Sequence, residues 1–174
     1  MLRRLALVLA GLGALTGCAT TERLSAASDV HRLLVSIRDD DRAEFEAHVD
    51  RRALEAEIQA ELVSRARDDR LPPAGRGLGM VLSGPLARAA GGVLIRPDVF
   101  RAVADYYGYR PDTPIPGQIG LAGALTALPD GRVCAKTRKG GPCLLTFAQE
   151  EGTWRLVAFD AHTVMAAAAG ARHP

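Results

Sequence analysis

Apolar positions along the chain change their spacing twice. An unbroken apolar run, Leu5 to Leu15, follows the charged pair Arg3 and Arg4. From Val30 onward the apolar positions recur at helical spacing, and beyond Gln118 they fall into short blocks between turn residues. Val30, Leu33, Leu34 and Ile37 stand at i, i+3, i+4 and i+7, which predicts a helix ending near Arg38. Ser25 or Ser28 would cap its start. Asp39-Asp40-Asp41 breaks it. Three adjacent acids invite a metal reading, but a calcium loop needs alternating ligands, a glycine and a later glutamate. Asp41-Arg42-Ala43-Glu44 fits a capping box instead, opening a short helix with Phe45 and Val49 inward. Asp50 caps the next helix, Arg51 to about Asp69, with Leu54, Ile58, Leu62 and Ala66 on one side and most charges off that line. Pro72-Pro73 ends it.

Residues 77–95 are the most apolar internal stretch. As a transmembrane helix it would place Arg88 mid-span at a cost of about 2.5–3.5 kcal/mol, and Pro85 and the glycines weaken that reading further. The expectation is a buried helix, broken or kinked at Gly84-Pro85, with a ligand-lining or membrane-touching role left open. Pro97 and Asp98 suit the first turn of another helix, whose inward face is Val99, Phe100, Val103 and Tyr107. Residues 108–117 form a connector with three prolines. All three tyrosines, Tyr106, Tyr107 and Tyr109, precede it, as an aromatic plug or, alternatively, a recognition patch. Strands are expected over Leu121–Leu128, Arg132–Thr137, Leu144–Phe147 and Trp154–Phe159, separated by Pro129-Asp130-Gly131 and Glu150-Glu151-Gly152 turns. Thr163 to Pro174 is an Ala-rich tail. The fold class is therefore α+β, with N-terminal helices packed on a C-terminal antiparallel sheet of about four strands. A cone-like sheet, nuclear-transport-factor-like or cystatin-like, is the expected architecture, by analogy alone.

The start of the chain resembles a bacterial lipoprotein signal. Leu15-Thr16-Gly17-Cys18 resembles the lipobox, preceded by a charged segment and an apolar run of secretory length. The run is too short for a bilayer core of roughly 30 Å, which needs about 20 apolar residues. The resemblance implies cleavage before Cys18 and acylation of Cys18, which would hold the chain stably in a membrane. An ordinary secretory signal cut near Ala19 is the alternative. Ala19, rather than Asp, after the cysteine resembles the outer-membrane sorting class. The organisation expected is a signal over 1–17, a lipidated polar tether over 18–25, one domain over 26–162 and the tail over 163–174.

Charge narrows the partners. The chain carries 22 basic and 20 acidic residues; with Arg3 and Arg4 removed, the remainder is formally neutral. This offers no electrostatic case for nucleic acid. Cys134 and Cys143 flank a Lys139-Gly140-Gly141-Pro142 turn, so an exported chain would form a cross-strand disulfide. A turn centred on Gly140-Gly141 would set Arg138 opposite Cys143, so the bond requires a shifted turn or a bulge. Free thiols are the alternative. A redox pair is disfavoured because the spacing is not Cys-x-x-Cys.

Val30–Asp50, Leu94-Ile95-Arg96-Pro97 and Leu144…Phe147 with Trp154-Arg155-Leu156-Val157 together resemble the bacterial envelope family catalogued as domain of unknown function 2939. That family carries no assigned activity. No Gly-x-Ser-x-Gly elbow, phosphate loop or His-Glu-x-x-His occurs, and His31, His48, His162 and His173 are scattered. His48-Val49-Asp50 is the one triplet that would orient an imidazole, but Asp50 is already a cap. No catalytic residue, metal ligand or cofactor is assigned. The function expected is a lipid-anchored periplasmic binding or scaffold module, holding an envelope protein or an apolar ligand at the outer membrane. The alternative is a small hydrolase or transferase with its site in the cone.

Overall fold

The computed structural model describes residues 2–67, 73–106, 110, 112–136 and 141–160; residues 2–18, most of the first turns of α4 and the end of α5 are described by backbone alone. The elements run α1 Leu2–Asp39, α2 Arg42–Ala47, α3 Arg51–Ala66, α4 Pro73–Leu94, α5 Pro97–Tyr106 and α6 Gln118–Ala124. Then come β1 Leu125–Ala127, β2 Val133–Lys136, β3 Cys143–Glu150 and β4 Thr153–Phe159. The fold is α+β: helices first, then an antiparallel open sheet in the order β1-β2-β3-β4.

The helix boundaries follow their caps. At the end of α1, Asp40 adopts a left-handed φ of 57° and the Asp41 N–H returns to the Ser36 carbonyl at 2.9 Å, the Schellman closure. The Asp41 carboxylate then accepts from the Glu44 N–H at 3.1 Å and opens α2. Only this forward half of the expected capping box forms, because the Asp41 N–H is already used. Asp39 pairs with Arg38, which holds its carboxyl below the usual carboxylate range. Each of the three adjacent acids therefore has a structural place. Asp50 accepts from the Arg52 and Ala53 N–H groups and opens α3 as expected.

Three expectations are corrected. The segment over 19–25 is helical, continuous with α1, not a free tether. No Gly or Pro interrupts residues 19–39, so helix propensity carries through. Ala26 and Ala27 are fully buried, and Ser25 bonds to the last strand. Second, Gln118–Ala124 is helical rather than strand. Its Ala and Leu positions bury Leu121 and Ala122, and the helix packs along α1. Third, residues 77–95 are neither buried all round nor divided at Pro85, which lies inside α4. Met80, Val81, Leu82, Leu86 and Val93 are exposed. The inward side is small: Gly79, Ser83, Ala87 and Gly91 recur every fourth residue and let α4 lie close on α3. A Cβ at Gly79 would stand 2.9 Å from the Ala66 Cβ. No helix among the described residues is long and apolar enough to cross a membrane.

Arg51, in the first turn of α3, ties that helix to the end of α4. Its guanidinium donates to the Gly91 carbonyl at 3.1 Å and the Ile95 carbonyl at 3.0 Å, and pairs with Glu46. The Gly91 carbonyl also accepts the Ile95 N–H at 2.9 Å, so Arg51 adds a second donor there, and a cation at this end of the helix suits its dipole.

Two bulges set the sheet's inner face. Between Thr146 and Phe147 the β3–β4 register shifts, so that Thr146 faces Ala158 while Phe147 faces Leu156. The extra residue, Val157, lets Trp154, Leu156 and Phe159 all point inward, where strict alternation would turn Phe159 out. The second bulge lies between Ala135 and Lys136 and seats Cys143 opposite Lys136. Cys134 and Cys143 are bonded, with Cα atoms 5.6 Å apart. Replacing both cysteines by alanine should lower the unfolding free energy by about 2–3 kcal/mol, from the loop closure removed. Urea denaturation of the double variant against the oxidised parent measures it; an unchanged midpoint would contradict it. At the other end, Glu151 and Gly152, with φ of 50° and 86°, make the expected tight β3–β4 turn.

The outer edge of β4 is closed by His48-Val49-Asp50. Val49 forms a parallel bridge with Leu156, through Asp50 N–H to the Leu156 carbonyl and Leu156 N–H to the His48 carbonyl. This covers an edge that would otherwise be free to pair with another chain.

Candidate functional site

A cavity of about 600 Å³ lies between α1, α5, the connector before α6, α6 and the inner face of the sheet. That volume is in the range of small-molecule sites. Its floor is a cross-strand row: Ala135 faces Leu145, and Leu145 faces Phe159. Helix α1 contributes Leu34 and Ile37, and α5 contributes Val99, Phe100 and Val103. Pro114, Ile115 and Pro116 form a further wall. The two prolines fix this wall's φ angles and leave it few N–H groups needing partners.

Why these residues converge follows from their elements. In α1 the inward stripe passes from Val30 and Leu33 in the core to Leu34 and Ile37 at the cavity. The Schellman end then turns the chain away. Helix α5 carries its apolar face at three of the predicted positions, Val99, Phe100 and Val103; Tyr107 lies outside the described residues. Phe100 meets the buried Phe45 edge-on, ring centroids 5.4 Å apart. The cavity's polar lining is mostly cationic: Arg38, Arg101, Arg110 and Lys136, with Asp105 the one carboxylate among the described lining residues. Arg101 Nη1 donates to the Arg38 carbonyl at 3.2 Å, which brings both arginines to the end of α1.

A second polar cluster lies apart from the cavity, between α1, α2 and β4. The His48 ring is buried; its Nδ1 lies 2.9 Å from the Glu44 carbonyl and, since a carbonyl only accepts, donates to it. Its Nε2 lies 3.7 Å from Asp29 Oδ1 and has no hydrogen-bond partner among the described residues. Asp29 Oδ2 accepts from the Trp154 N–H at 2.8 Å, and the Trp154 indole donates to Ser25 Oγ at 3.1 Å. These bonds fasten the sheet to α1. Among the described residues no hydroxyl or thiol bonds to His48 Nε2 to be activated. His48 is therefore not turned to solvent, but it does not line the cavity either.

Of the residues singled out by sequence, Cys134 and Cys143 are brought together. Cys18 lies in α1 with its side chain outside the described residues, as do His162, His173, the Ala-rich tail, residues 137–140, and Tyr107 and Tyr109; of Tyr106 only the backbone is described. The cavity as such was missed. Its α1 and α5 walls were legible as apolar faces, but Leu144, Leu145, Phe159 and the proline wall gather only through the sheet register.

No curated protein matches the chain, and no solved structure does, so the cone-like analogy gains no support from a known fold. The family match spans residues 14–103, from within α1 into α5, and leaves out the strand motifs of the C-terminal sheet. Since that match covers just over half of the 174 residues, the chain belongs to the family described as Protein of unknown function (DUF2939).

Proposed function

We propose that this chain is a lipid-anchored binding module of the bacterial envelope, held through acyl chains on Cys18 at the periplasmic face of the outer membrane. Its cavity takes an apolar ligand. The observation that carries the binding reading is the cavity of about 600 Å³, walled by aliphatic and aromatic side chains from helices α1, α3, α4, α5 and α6, the proline connector and strands β2, β3 and β4. The anchoring reading rests on the lipobox resemblance at Leu15-Thr16-Gly17-Cys18 and on Ala19. An envelope protein is the other partner considered, as a scaffold would hold.

Native mass spectrometry of the protein extracted from its own membranes in mild detergent tests both parts. The expected spectrum shows added acyl mass on Cys18 and a retained small molecule. Ala124→Trp, which puts an indole at the cavity wall, should lose that molecule and keep the acyl mass. A chain with unmodified Cys18 would overturn the anchor. Equal retention by the variant would overturn the cavity as the ligand site, and a retained protein in place of the small molecule would favour the scaffold.

A further inference from the structure

We infer that the cavity selects a single-chain amphiphile with an anionic head, carboxylate or phosphate, its chain in the apolar interior and its head against the cations of the lining. The inference deepens the binding reading above and rests on it. The chain as a whole has no net charge once Arg3 and Arg4 are set aside, yet the described cavity lining carries Arg38, Arg101, Arg110 and Lys136 against Asp105 alone. The excess of positive charge is therefore local to this site.

These cations differ in how far they are already committed. Arg38 pairs with Asp39, and Arg101 donates one N–H to the carbonyl of Arg38. A guanidinium has five N–H donors, so Arg101 keeps donors for a ligand. The side chains of Arg110 and Lys136 make no ion pair or hydrogen bond with any described residue; the Arg110 contact to Thr113 is through its backbone N–H. Cations beside a low-dielectric wall attract an anion more strongly than the same cations in open water. An uncharged ligand of equal chain length would fill the interior and leave these donors to water. A cationic ligand would meet repulsion. The apolar walls set the chain, and the lining charges set the sign of the head.

The test is a binding series at fixed chain length with the purified full chain: dodecanoate, dodecyl phosphate, dodecanol and dodecylamine, each displacing a fluorescent apolar probe. Dodecanoate or dodecyl phosphate should bind about ten-fold tighter than dodecanol at low salt, with dodecylamine weakest, and the preference should shrink as salt rises. The better of the two anions identifies the head. Arg110→Gln combined with Lys136→Gln should bring the anion to within about two-fold of the alcohol while leaving dodecanol unchanged. Arg101→Gln is the second variant, and circular dichroism confirms that each is folded. If dodecanol matches both anions in the parent, the head inference falls while the cavity stands. If the preference survives both variants, these cations are not its source and the inference falls. If none of the four displaces the probe, the amphiphile inference falls; if the apolar probe itself does not bind, the binding reading falls with it.

Discussion

Replacing Phe45 by alanine should lower the unfolding free energy by about 3–5 kcal/mol, as for other fully buried aromatic residues. Phe45 has no exposed surface, and its ring meets Phe100 edge-on. Domains of this kind are stable by about 5–15 kcal/mol in all, so the variant would lie near the limit of folding. The effect reaches the cavity, because Phe100 is both the partner of Phe45 and part of the cavity wall. Phe45→Ala should therefore also weaken retention of an apolar ligand. Phe45→Leu, which keeps much of the apolar volume, should cost less than half as much. Urea denaturation followed by far-UV circular dichroism measures both. A loss below about 1 kcal/mol for Phe45→Ala would contradict the packing described, since cavity formation at a closed site costs more.

Trp154→Ala is the second large loss expected, again about 3–5 kcal/mol. It is the sole tryptophan, 2% exposed, and it joins β4 to α1. The indole N–H reaches Ser25 Oγ, and the backbone N–H reaches Asp29. Trp154→Phe keeps a ring and the backbone bond but drops the indole donor, a change of about 1 kcal/mol from the bond itself. Ser25→Ala should cost a similar amount, and the double variant should add little, because both changes remove one interaction. Melting followed at far-UV wavelengths suits the series, since the Trp154 variants lose the only indole. Full additivity of Ser25→Ala and Trp154→Phe would show that the bond contributes nothing.

The same contact explains where reading by pattern stopped short at the start of the domain. Residues 19–25 are polar and read as a tether, yet Ser25 is the acceptor that holds the last strand, some 129 positions further on. A polar side chain in a helical stretch does not announce a partner that distant. Helix α4 misled in the opposite sense. Its apolar composition predicted burial, but a stripe of small residues faces α3, and Met80, Val81, Leu82, Leu86 and Val93 face out. When nearly every position is apolar, composition cannot say which side is inner.

What the sequence determined by itself is local and periodic. The stripe Val30, Leu33 and Ile37, the caps Asp41 and Asp50, the inward Phe45 and Val49 and the Pro97 start of α5 were all legible, because each follows from contacts within a few residues. The same holds for the Glu151-Gly152 turn, for the strands after it, and for the need of a shifted turn or bulge if Cys134 is to reach Cys143. The tertiary structure alone decided the rest. The bulge at Val157 turned Phe159 inward, Arg51 found the carbonyls that end α4, and Ala135, Leu145 and Phe159 became one floor beneath a proline wall. A cavity is formed where elements fail to meet, so it depends on the register and placement of all of them together. Spacing along the chain records which residues turn inward; it does not record the distance at which the opposing surfaces come to rest.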